Sequence, residues 1–218
     1  MLREFWRSTI GKKVVMAVSG LIGVGFLISH VVSNLAVFEN PQHLNAYARF
    51  LRGLGPLLYV ARGVLVAAVI LHVISAFQLM ARARAARPVD YRAREPQVST
   101  FASRSMKVGG VLLLAFIVVH LADLTFGLGH PGFVHLQPAE NIVTGFGPER
   151  WWMVAFYVLA MISLGLHLWH GAWSSMRTLG AARPSASPLR RVIPIILAVA
   201  IAGGFAIIPL AVVFGVLR

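Results

Sequence analysis

Five long apolar stretches decide most of what this chain can become. They cover residues 14–38, 60–81, 108–129, 151–176 and 192–217 and are almost free of charge. A helix rising 1.5 Å per residue needs about 20 residues to cross bilayer hydrocarbon, so each stretch predicts one membrane-spanning helix. With 58% hydrophobic and 12% charged residues, no composition is left for a separate soluble catalytic domain. The predicted class is an all-α integral membrane protein, residues 1–218 forming a single membrane domain.

The first stretch follows basic residues, as a signal peptide does, but it is too long and contains His30 and Asn34, which predicts a retained helix. The chain has no cysteine, which excludes disulfides, thiolate metal ligands, iron–sulfur ligation and covalent c-type haem. The net charge of +13 is distributed as a topology signal rather than as a nucleic-acid surface. Arg3, Arg7, Lys12 and Lys13 precede the first span, and Arg82, Arg84, Arg87, Arg92, Arg94, Arg104 and Lys107 lie between the second and third. Arg177, Arg183, Arg190 and Arg191 follow the fourth. If all five helices cross, these residues share one side, and the positive-inside rule places the N-terminus in the cytoplasm and the C-terminus outside.

Between the spans, Leu44, Tyr47, Leu51 and Leu54 recur at helical spacing within residues 39–58, predicting a short helix on the outer surface. Residues 82–107, with Pro88, Asp90, Glu95 and Pro96, read as a polar linker contacting headgroups or a soluble subunit. The outer loop 130–150 is expected over the mouth of the helices.

Four of the five predicted helices carry a histidine deep in apolar sequence: His30, His72, His120 and His167. An imidazole there must be hydrogen-bonded, metal-bound or set in a polar cavity. Four of them fit two bis-histidine haems b, with a four-helix haem-binding bundle and a fifth, peripheral helix. Depth sorts them. His30 lies 17 residues after Lys13 and His120 lies 13 after Lys107, roughly 25 and 20 Å in from the basic side. His72 and His167 lie ten residues before Arg82 and Arg177, roughly 15 Å in. The expected pairs are therefore His30 with His120 toward the outside and His72 with His167 toward the cytoplasm.

Small residues on the histidine faces suit a flat macrocycle: Ser19 and Gly23 before His30, Ser75 and Ala76 after His72, Gly109 before His120, and Ser163 and Gly171 around His167. Each alone reads equally well as helix packing. His170 is assigned to a haem propionate, a quinone or an interfacial hydrogen bond, with replacement of His167 as ligand as the alternative. Arg82 and Arg177 are candidates to neutralise propionates. Trp169 and Trp173 read as interfacial anchors. His43, His130 and His135 fall in outer loops, solvent-facing or exchanging protons near the outer haem. Asp123, one turn beyond His120, either pairs with Arg62 or Arg150 or handles protons in quinone chemistry.

The segments SHVVSNLAVF (29–38), LNAYARFL (44–51), HVISAFQL (72–79), VVHLADLTFG (118–127) and HLWHGAWSSMRTLG (167–180) resemble the cytochrome b subunit of the succinate dehydrogenase and fumarate reductase family, in its single-chain, five-helix, dihaem form. The resemblance covers nearly all of residues 5–218. It implies His30 and His120 as ligands of the distal haem and His72 and His167 as ligands of the proximal haem. It also implies a quinone, usually menaquinone, and cytoplasmic partners: a flavoprotein with FAD and an iron–sulfur subunit with its clusters. The location implied is a bacterial cytoplasmic membrane. The chain itself would carry electrons, bind quinone and dock its partners, while succinate chemistry belongs to the flavoprotein.

Some fumarate reductases of this type carry a glutamate two residues before the last ligand. Gly165 stands there, which tilts the expectation toward succinate oxidation. The polar residues available for an outer quinone site are Glu39, His43, Asn45, Tyr47, Arg52 and Asp123. Two other readings compete: the dihaem cytochrome of another membrane dehydrogenase, such as a hydrogenase or formate dehydrogenase, and a haem-free transporter with a histidine-lined path. The 42-residue interval from His30 to His72 and the HGAWSSMRTLG ending disfavour the first. Against the second, Asp123 is the only acid well inside a span.

Overall fold

A computed structural model describes residues 2–86, 101–182 and 188–218, which are all-helical with no strand among them. The short helix α1 (Leu2–Arg7) leads into α2 (Thr9–Leu35), whose start is fixed by Ser8: its Oγ accepts from the Gly11 N–H at 2.8 Å. That cap explains why the helix begins ahead of residue 14, taking in Lys12 and Lys13. A 3-10 turn (Ala36–Phe38) ends the span, and Asn40 caps α3 (Pro41–Gly53) by accepting from the Gln42 N–H at 2.9 Å. Gly55, with φ 54°, makes the turn into α4 (Pro56–Ala85), which opens on a proline that needs no donor there.

Helix α4 runs on through Arg82 and Arg84, and α5 (Phe101–His120) is already helical seven residues ahead of the expected 108. Long basic side chains can extend along a helix to the headgroups, so helical structure does not stop where apolarity does. The expected polar linker is thus helical at both ends. Its centre, with Arg87, Pro88, Asp90, Arg92, Arg94, Glu95 and Pro96, lies outside the described residues, as does Arg183. Helix α5 passes into a π-helical turn (Leu121–Thr125), short of the predicted end at 129. The outer segment folds into α6 (Pro138–Gly145) and a 3-10 turn (Pro148–Arg150), followed by α7 (Trp151–Thr178) and α8 (Pro188–Val213).

Five helical segments are long and apolar enough to cross a membrane, with mean hydropathy between 1.7 and 2.7. They do not pack equally. Helix α7 lies along α8 and α5 and also meets α2, whereas α4 packs chiefly on α2. Helices α4 and α5 do not pack closely on each other. The expectation of a peripheral fifth helix needs correction. α8 packs closely along α7 and also against α2, because small residues face both contacts. Ala160 is fully buried, and a Cβ on Gly204 would come within 2.7 Å of Val31 Cγ2. Where α3 and α6 meet, Val37, Leu44, Ile142 and Phe146 form an apolar core with Tyr157 and Ile208.

Candidate functional site: two histidine pairs

The helix contacts put the four half-buried histidines together two by two. The His72 and His167 ring centroids are 6.0 Å apart with planes at 52°. Those of His30 and His120 are also 6.0 Å apart, with planes at 84°. Since α4 packs on α2, α2 on α7 and α7 on α5, each pair links two helices that are not direct neighbours in that series.

The lower pair, nearer the basic end, is built against glycines. A Cβ on Gly20 would stand 3.2 Å from His72 Cε1, and one on Gly110 would stand 4.0 Å from His167 Cε1. His72 Nδ1 lies 3.0 Å from Met16 O, a carbonyl that can only accept, so Nδ1 carries the proton and Nε2 is left with its lone pair. Ser19 Oγ adds a longer contact at 3.4 Å. His167 Nδ1 is buried without a hydrogen-bond partner among the described residues.

The upper pair sits in an aromatic enclosure. Phe26 stacks on His30 at 5.1 Å, Phe205 of α8 lies 5.5 Å from the same ring, and Phe116 lies 5.5 Å from His120. His30 Nδ1 lies 3.2 Å from the Asn34 amide, and His120 Nδ1 lies 3.2 Å from the Tyr157 hydroxyl. The Asn34 atom is Nδ2, which can only donate, here also to His30 O at 2.8 Å, whereas the Tyr157 hydroxyl can donate or accept. Gly20 precedes His30 by ten residues on α2, and Gly110 precedes His120 by ten on α5. Both intervals set the two levels roughly 15 Å apart.

Several small residues serve differently from what their spacing predicts. Ser19 is beside His72, not under His30, because α4 lies against that part of α2. Ser163 Oγ donates to Gly109 O at 3.2 Å, so this pair joins α7 to α5 instead of flanking two separate histidines. Nothing lies within 4 Å of a Cβ built on Gly23 or Gly171. Ser75 is fully buried, its hydroxyl without a hydrogen-bond partner among the described residues.

His170 does not join the lower pair. It lines a cavity of about 550 Å³ with Lys13, Trp173 and Arg177. Arg82 is held at the α1–α2 junction, donating to Arg7 O at 2.7 Å and Thr9 Oγ1 at 3.2 Å.

The six polar residues considered for quinone do not converge. Asn45 is buried, donates to both Glu140 carboxylate oxygens and accepts from the Ala139 N–H at 3.1 Å, so it clamps α3 to α6. Glu39, His43, Tyr47 and Arg52 are exposed, with His43 Nδ1 3.6 Å from Glu39. Asp123 is 2% exposed and engages Arg150, one of its two expected partners: Nη2 donates to Oδ1 at 2.7 Å. The guanidinium also donates to Gly145 O at 3.1 Å.

His130 joins this cluster and is not solvent-facing as one reading of its loop position had it, whereas His135 is exposed. Its Nδ1 lies 3.2 Å from Asp123 Oδ1, without the alignment of a hydrogen bond, and its Nε2 lies 2.9 Å from Thr144 Oγ1. Burial holds the His130 imidazole below its ordinary value, with Asp123 opposing and Arg150 reinforcing the shift.

A scan against protein-family models and searches of curated proteins and of solved structures found no match to this chain.

Proposed function

We propose that this chain is the membrane anchor and dihaem cytochrome b subunit of a succinate:quinone oxidoreductase of the menaquinone-using kind, seated in a bacterial cytoplasmic membrane with its N-terminus inside. The observation that carries the reading is the pair of 6.0 Å histidine contacts at two levels. Two metal–nitrogen bonds of roughly 2 Å each, added to the ring radii, bring bis-imidazole centroids to roughly 6 Å. At His72 the Met16 carbonyl holds the proton on Nδ1, and at His120 the Tyr157 hydroxyl stands at Nδ1, leaving Nε2 of each for a ligand.

On this reading α2, α4, α5 and α7 form the haem-binding bundle, and His72 with His167 and His30 with His120 would hold the two haems. Bound haem supplies reversible one-electron chemistry, linking an iron–sulfur subunit on the basic side to quinone. Met16, Ser19, Asn34 and Tyr157 orient the imidazoles, while Phe26, Phe116 and Phe205 keep water from the upper pair.

A pyridine haemochrome assay on the purified chain tests the cofactor: two haems b per chain are expected, and one or none overturns the reading. The variant His72→Ala is expected to lose the lower haem and keep part of the upper signal. Affinity purification of the native complex tests the partners. A flavoprotein and an iron–sulfur protein are expected, while a nickel or molybdenum subunit redirects the chain to another dehydrogenase.

A further inference from the structure

The cavity beside His170 opens where the first turns of α2 and α5 meet the last turns of α7. Every polar side chain that lines it can donate a hydrogen bond. Lys13 and Arg177 bring cations, Ser174 a hydroxyl, Trp173 an indole N–H and His170 an imidazole, and no carboxylate lines it among the described residues. Such a set recognises an anion with several acceptor oxygens. Lys13 and Arg177 are exposed, so an anion arriving from outside can reach them, whereas His170 and Trp173 are partly buried deeper in the same cavity.

The level is equally informative. Lys13 stands at the basic end of the first apolar stretch and Arg177 at the end of the fourth. A ligand here is charged at the membrane boundary and apolar below it, and indoles belong at that boundary. Basic pockets between spanning helices have this character when they hold anionic lipid headgroups.

We propose that this cavity binds the phosphate of an anionic phospholipid, with Lys13 and Arg177 as its charge partners and His170, Trp173 and Ser174 as hydrogen-bonding walls. The proposal requires a bilayer around the chain, but not haem at the histidine pairs.

The test uses the full-length purified chain, delipidated in detergent and titrated with brominated phosphatidylglycerol or brominated phosphatidylcholine, reading quenching of tryptophan fluorescence. Phosphatidylglycerol is expected to bind at least tenfold more tightly, with the advantage shrinking in high salt. The double variant Lys13→Gln/Arg177→Gln is expected to abolish the preference. The single variant Arg177→Gln is expected to reduce it, and Arg177→Lys to restore most of it. Equal affinity for the two lipids, or an unaltered preference in the folded Arg177→Gln chain, overturns the proposal. Competition by millimolar inorganic phosphate identifies a soluble-anion site and overturns the lipid assignment. Loss of haem with the lipid preference intact assigns the cations to haem propionates and likewise overturns it.

Discussion

His130 shows how far one side chain can depart from its sequence setting. The loop around it is rich in glycine and proline, yet its side chain is fully covered between Asp123, Thr144 and the Phe133 ring. Because burial lowers its pKa, the folded chain keeps this imidazole neutral while an unfolded chain takes up the proton first. Stability contributed here is therefore present above the ordinary value of 6.5 and is lost as pH falls through that value toward the lowered one. Thermal unfolding followed from about pH 8 to about pH 5 is expected to show this loss in the native chain and a flatter profile in His130→Gln. Identical profiles would remove His130 as the titrating group.

The π-helical turn after His120 is the element that gathers charge at the upper end. Its wider winding follows directly on His120 and contains Asp123, which it presents to Arg150. Such turns are frequent at functional sites. Removing one partner of a buried pair costs about 3–5 kcal/mol, whereas replacing both by apolar groups is often close to neutral. Asp123→Asn is thus expected to lower the melting temperature markedly, and Asp123→Leu/Arg150→Leu to recover much of the loss, as measured by thermal unfolding in detergent. Equal losses in both variants would contradict a stabilising role confined to the pair.

At this scale the sequence was partly legible. The histidine depths were written in distances from flanking cations, and Asn34 stands one helical turn after His30. Gly20 and Gly110 also carried a signal, the repeated ten-residue interval to His30 and His120. Tyr157 carried none. Its approach to His120 depends on how α5 crosses α7, and no spacing along one helix encodes the contact between two. Arg82 and Asn45 were readable as polar residues near the right level, but their partners come from α1 and α6, whose positions follow from caps and loop lengths.

Across the whole molecule, packing is uneven. The α7–α8 contact is extensive, while α4 leans chiefly on α2 and α5 chiefly on α7. Exposed apolar side chains such as Leu57, Val66, Val108 and Val118 line those two outer helices, as expected for surfaces meeting lipid. If the histidine pairs hold metal, His72 and His120 are the points at which α4 and α5 are tied across to the rest. Hydrogen exchange measured with and without haem is expected to accelerate most in α4 and α5 and least along α7 and α8. Uniform acceleration would mean that the cofactor supports the fold as one block.

The loose edge between α4 and α5 bears on biogenesis. A protein completed in the bilayer can receive a flat, greasy ring sideways through a seam that its own helices do not zip shut, without first being taken apart. If the histidine pairs hold haem, an order of maturation follows: the five segments insert first, and the ring then closes the seam.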